Sequence, residues 1–205
     1  MKCGSLIELG PTSAAFAVAA GTNVTCNFEN TRLGLTRTRD FWANHPEFAN
    51  LVWNTLVPDS EKKLSMWASA CSTSTKKIHS STDVPSLAGT AAGSNKLMGG
   101  YWSDTAKKTT GASRTNLEKA RMGLLQQLLA AIENKYGLGA ADGGLIASAK
   151  TAYCGTSIGA ITTATNNLKA FNLSGDSVPL AFTVPVANAT AAQAMANKVF
   201  WNTTR

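Results

Sequence analysis

The stretch from Thr115 to Gly139 constrains the fold more than any other part of the sequence. Thr115-Asn116-Leu117-Glu118 is a capping box, in which the Thr hydroxyl and the Glu carboxylate satisfy each other's orphan backbone donors. Leu117, Leu124, Leu125, Leu128, Leu129 and Ile132 then recur at helical spacing, and Gly137 and Gly139 stop the run. A long helix with that much leucine needs other helices around it, and the sequence offers them. Pro46 suits a first helical turn and is followed by an apolar stripe of Phe48, Leu51, Val52 and Leu56. A second helix is predicted from about Ser60 to Cys71, with Leu64, Met66, Trp67 and Ala70. Shorter ones follow at about Gly143–Tyr153 and Ile158–Phe171, and a last one at Ala191–Trp201. Between them, about 72–113 reads as a long loop dense in Ser, Thr, Gly and Lys, with Val84, Leu87, Leu97 and Met98 as its anchors. Val178 to Pro185 reads as extended, because Pro179 and Pro185 forbid a helix.

The N-terminus has a different period. Val24, Cys26 and Phe28 alternate with Asn23, Thr25, Asn27 and Glu29, as in a half-buried strand. Ser13–Ala20 lies before it across Gly21-Thr22, a two-residue hairpin turn, and Cys3–Leu9 supplies a third short strand. The expected fold class is therefore α+β. A Trp-rich, mainly helical domain occupies 35–205, and a partial β-sandwich or hairpin element occupies 1–34. Three short strands do not make a sandwich. Their unpaired edges invite completion by a neighbouring chain, as in strand exchange.

Only 15% of the 205 residues are charged, against roughly 25% in an average soluble chain. Thr, Ser and Asn carry the solubility instead. The 19 Lys plus Arg exceed the 12 Asp plus Glu by seven, but the basic residues are scattered in pairs such as Lys62-Lys63, Lys76-Lys77 and Lys107-Lys108. That pattern gives a solvated basic surface and no nucleic-acid partner. No run approaches the ~18 apolar residues of a membrane span. Cys3, Cys26, Cys71 and Cys154 are too far apart for a CxxC site, and four cysteines allow three disulfide connectivities. With few charges and many Thr and Asn, they suggest an oxidising, extracellular setting. A Cys71–Cys154 bond would contribute about 4 kcal/mol through loop closure. Asn23, Asn172, Asn188 and Asn202 each begin an N-x-[ST] triplet and are candidate glycosylation acceptors. Met1-Lys2 is followed at once by Cys3, with no apolar run of a signal peptide, so a secreted form is expected to be a processed or truncated piece of something longer.

Two segments carry a resemblance. Ala19 to Arg32 (AAGTNVTCNFENTR) is similar to the closing hairpin of Ig-like or prealbumin-like repeats in secreted bacterial and archaeal surface proteins, which end in runs like aGxxVTCTFTNTR. The resemblance implies a Cys3–Cys26 disulfide and with it a Cys71–Cys154 bond. Thr36 to Glu47 (TRTRDFWANHPE) resembles the RTxGYWKNHPE opening of a domain found in many secreted proteins, with Asp40 where that motif has Gly. The same domain carries a helix similar to Leu125–Asn134 and an ending like Asn172–Asp176.

Candidate chemistry is sparse. Gly155-Thr156-Ser157-Ile158-Gly159 matches the G-x-S-x-G nucleophile elbow, but a helix precedes it and both histidines, His45 and His79, come before Ser157. Cys71, Cys154, His45 and His79 would make a Cys₂His₂ metal set of irregular spacing, which an oxidising setting disfavours. No phosphate-binding loop is present, and no pair among the acidic residues stands out for glycoside hydrolysis. Trp42, Trp53, Trp67, Trp102 and Trp201 would line a sugar platform if exposed, yet their helical positions favour packing. The sequence therefore reads as no enzyme, with no cofactor and no metal. The expectation is an extracellular structural subunit of a self-assembling surface filament, appendage or sheath, whose partners are copies of itself. The runner-up is a secreted carbohydrate-binding or adhesive module with surface glycans as partners.

Overall fold

In the computed structural model, residues 34–58, 61 and 92–202 are described. They form seven α-helices: α1 (Arg39–Asn44), α2 (Pro46–Thr55), α3 (Lys96–Trp102), α4 (Asn116–Gly137), α5 (Leu145–Cys154), α6 (Ile158–Leu173) and α7 (Ala189–Met195). A 3-10 turn, Val199–Asn202, follows.

The Thr115–Gly139 signal becomes the centre of the molecule. Thr115 N donates to Glu118 Oε2 at 2.7 Å and Glu118 N donates to Thr115 Oγ1 at 3.2 Å, closing the capping box. Burial works against the Glu118 carboxylate, yet Lys108 and the Thr115 amide hold it below the ordinary range. At the other end Leu138 caps the helix and Gly139 turns away with φ 73°. Every residue from Arg121 to Asn134 except Gly123 and Gln127 is buried, because α4 is wrapped on most sides. It packs along α6 and against α1, α2, α3 and α5. Phe48, Ala49, Val52 and Trp53 form the buried face of α2, whereas Leu51 and Leu56, placed in the expected stripe, are exposed.

The α+β expectation is overturned. Among the described residues there is no strand and no sheet, only the isolated bridges Asn95↔Ala196 and Lys107↔Ser113, and the architecture is mainly helical. The hairpin expected at 1–34 and the helix expected at 60–71 lie outside the described residues, apart from Gly34 and Glu61.

Two more expectations change within the described chain. The long loop at about 72–113 contains α3, whose Leu97, Met98 and Tyr101 enter the core. Its glycines permit close packing: a Cβ on Gly99 would fall 2.1 Å from Asn197 O, and one on Gly100 would fall 2.6 Å from Leu129 Cδ1. The final helix expected at Ala191–Trp201 is broken, because Asn197 N donates instead to Asn95 O at 2.7 Å and pulls the chain across α3. As Pro179 and Pro185 dictate, no helix forms between α6 and α7. Leu180, Phe182 and Val184 pack against the core while Ala181, Thr183 and Pro185 face solvent, the in-out alternation of a strand. Among the described residues, no backbone group of 180–187 bonds to another backbone group.

Candidate functional site

The polar residues of this helical body converge where the arm Gly34–Thr38 crosses α4 and the end of α6. Asn134, fully buried on α4, organises the crossing. Its Oδ1 accepts from Arg37 N at 2.8 Å and from Trp42 Nε1 at 3.0 Å, and its Nδ2 donates to Arg37 O at 2.8 Å and Asn172 Oδ1 at 3.0 Å. Asn172 Nδ2 passes the chain on to Gln127 O and Gln127 Oε1, both at 3.0 Å. The Arg37 guanidinium is held by the carbonyls of Thr36, Gly175 and Val178. Burial pushes its pKa down, and Asp176 partly restores it. Thr38 N donates to Asp176 Oδ1 at 3.0 Å and Gly175 N to Thr36 Oγ1 at 2.7 Å, so the arm is stitched to the turn after α6 along its length.

Beside this latch lies a cleft of about 270 Å³, lined by Thr38, Arg39, Asp40, Gln126, Gln127, Lys169, Asn172 and Leu173. Arg39 Nη1 meets Asp40 Oδ1 at 2.6 Å, and Arg39 Nη2 donates to Tyr101 O. Gln126 Nε2 caps the end of α3 by donating to Tyr101 O at 3.1 Å and Ser103 O at 2.9 Å. Behind that cap the Tyr101 hydroxyl donates to Glu133 Oε2, and Glu133 Oε1 is buried with no hydrogen-bond partner among the described residues. Desolvation drives the Glu133 pKa well above the ordinary carboxylate range. Burial, then Glu133, raises Tyr101 as well.

The residues singled out in the sequence land as follows. Ser157 caps α6 by accepting from Ala160 N at 3.3 Å, and the segment before it is α5, so the elbow geometry is absent there. The His45 Nδ1 donates to Phe41 O at 2.7 Å, and the ring stacks on Phe41 with centroids 4.2 Å apart. Among the described residues, no cluster of three or more His, Cys, Asp or Glu side chains could hold a metal ion. Cys154 ends α5 and is disulfide-bonded; Cys3, Cys26, Cys71, His79 and Asn23 lie outside the described residues.

Of the sequon asparagines, Asn172 is buried with both amide atoms bonded, so a glycan on Nδ2 would break the latch. Asn188 is exposed and caps α7 through Oδ1 to Ala191 N at 2.9 Å. Asn202 exchanges two hydrogen bonds with Thr109. Trp42, Trp53 and Trp201 are buried, and half-buried Trp102 donates to Ala43 O at 3.0 Å; none offers an open sugar platform, and Trp67 lies outside the described residues.

Of the cleft residues, Arg39, Gln126 and Gln127 fell in segments quoted only for a resemblance, and Lys169 carried no motif. The signal that points to the latch is the presence of Gln126 and Asn134 on core-facing turns of an otherwise leucine-lined helix, since polar groups there must be bonded. No helix among the described residues is long and apolar enough to cross a membrane. Comparisons with protein-family models, curated proteins and solved structures gave no match.

Proposed function

We propose that the chain is an extracellular structural subunit that assembles with copies of itself into a filament, appendage or sheath. The observation that carries this reading is the segment 180–187. Its first half lies on the helical core with strand-like alternation, its backbone is unpaired among the described residues, and Val186 near its end is 90% exposed. A row of free amides and carbonyls beside exposed apolar side chains is what an added strand pairs with. Leu173 and Val178, exposed on either side of the turn after α6, extend the apolar margin. When one subunit supplies the strand and the next supplies the edge, the contact is head-to-tail, and one that does not close grows into a filament. A low charged fraction of 15% limits repulsion between copies. The low charge and the four cysteines support the extracellular placement, as does the likeness of Ala19–Arg32 and Thr36–Glu47 to secreted surface proteins.

The test is sedimentation and negative-stain imaging of the full chain in oxidising buffer, beside Thr183→Pro, which removes one amide at an outward-facing position. Elongated assemblies that Thr183→Pro abolishes while the helical circular dichroism is kept are the expected result. Monodisperse monomers at every concentration, or assemblies indifferent to the proline, refute the reading.

A further inference from the structure

We propose that the cleft between α1, α4 and α6 binds the uronic-acid unit of a glycan. Its volume of about 270 Å³ admits one small polar molecule and lies below the roughly 300–1,000 Å³ of drug-sized pockets. The lining supplies both kinds of group that a sugar acid requires. For the carboxylate there are two cations. Lys169 stands exposed on the wall and makes no ion pair among the described residues. The Arg39 guanidinium is shared with Asp40, whose side chain is 74% exposed, and such a pair is weakly held in water. The lining thus sets two cations against one carboxylate, which leaves a positive excess for an incoming carboxylate.

For the hydroxyls there are Thr38, Gln127 and Gln126, the last with its amide nitrogen committed to carbonyls and its oxygen left to accept. Leu173 gives an apolar contact for the carbon face of the ring. The amides are held in place by the latch, through Asn172 to Gln127 and through the cap on α3 for Gln126, so the cleft does not have to be ordered on binding. The described lining has no aromatic side chain, which places the affinity of a single sugar unit near about millimolar and leaves tight binding to repetition along a polymer. The cleft shares Leu173 with the apolar margin of the proposed assembly surface but includes no residue of 180–187, and binding does not require assembly of the chain.

The experiment is a titration of the isotopically labelled full chain by NMR with glucuronic acid, with glucose and with glutamate as comparison probes. Glucuronate is expected to give saturable shifts at Thr38, Gln127 and Lys169, with glucose and glutamate each about fivefold weaker or more. Lys169→Ala, at an exposed position, is expected to lower the glucuronate affinity about fivefold without moving the thermal midpoint. No saturable shift at about 50 mM glucuronate overturns the proposal, as do shifts unaffected by Lys169→Ala. Equal response to glutamate overturns it too, by reducing the cleft to a carboxylate site with no preference for a sugar.

Discussion

Removing the Asn134 amide is the sharpest test of how this molecule is held together. Asn134→Ala deletes four hydrogen bonds of 2.8–3.0 Å, two accepted and two donated. Each is worth about 1 kcal/mol net, but the loss does not stop there. Arg37 N and Trp42 Nε1 remain as buried donors, each costing about 1–3 kcal/mol if nothing replaces the acceptor. With partial relaxation, the total is about 4 kcal/mol, a large share of the ~5–15 kcal/mol that keeps a domain folded. Urea denaturation followed by tryptophan fluorescence reads the change as a lower midpoint at an unchanged slope, because contacts are lost and compactness is not. Asn134→Asp keeps the volume but turns an oxygen toward Arg37 O and Asn172 Oδ1, and should be at least as damaging. Asn172→Ala combined with Asn134→Ala should cost less than the sum of the two, since they share one network. A loss below about 1 kcal/mol for Asn134→Ala would refute the latch as the element that fixes the arm to the helices.

Three further outcomes follow from the same geometry. Gly99→Ala should destabilise by about 1–3 kcal/mol in thermal melts, since its Cβ meets the backbone oxygen of Asn197 and not a mobile side chain, whereas Gly123→Ala, which meets nothing within 4 Å inside α4, should stabilise by about 1 kcal/mol. Because folding raises the Glu133 pKa above its unfolded value, its contribution is full at pH below the ordinary carboxylate range and is lost as pH rises through that range toward the folded value; Glu133→Gln should flatten this pH dependence, and an unchanged profile in denaturation series would disprove the upward shift. Thr115→Ala should cost about 1 kcal/mol by opening the capping box, visible as lost protection of the first-turn amides in hydrogen exchange.

Local signals were legible in the sequence, and long-range ones were not. The capping box and the leucine spacing placed α4 because both act within a few residues. Ser157 and Asn188 sit before helices for the same local reason, as N-caps. The composition of 92–100 hid α3, since Gly99-Gly100 argue against a helix until Asn197 and Leu129 are seen pressing on them. Leu51 and Leu56 fit the spacing but lie on the outer side of α2, because Ala49 and Trp53 set the buried face. Asn172 drew attention as a glycosylation triplet, whereas its burial makes it a link between α4 and α6. Two of the carbonyls that hold Arg37, those of Gly175 and Val178, stand 138 and 141 residues away in sequence, and no single-chain pattern announces such a pairing.

The same contacts explain where most of the arginines are used. Four of the six arginines are spent on backbone carbonyls: Arg37 on Thr36, Gly175 and Val178, Arg39 on Tyr101, Arg114 on Asp104, and Arg121 on Tyr153 and Gly155. These carbonyls close helices and turns, which leave acceptors without intrahelical donors. A guanidinium answers several at once because its donors are fixed in one plane. Lysine would not serve equally, since a single ammonium cannot bridge acceptors on separate turns. Each guanidinium keeps its full charge against a neutral carbonyl, but its donors are used, so the basic groups left to make direct contacts are mostly dispersed lysines. Arg39 links scaffold to cleft: Nη2 closes α3 while Nη1 pairs with Asp40, and Arg39, Asp40 and Lys169 all line the cleft.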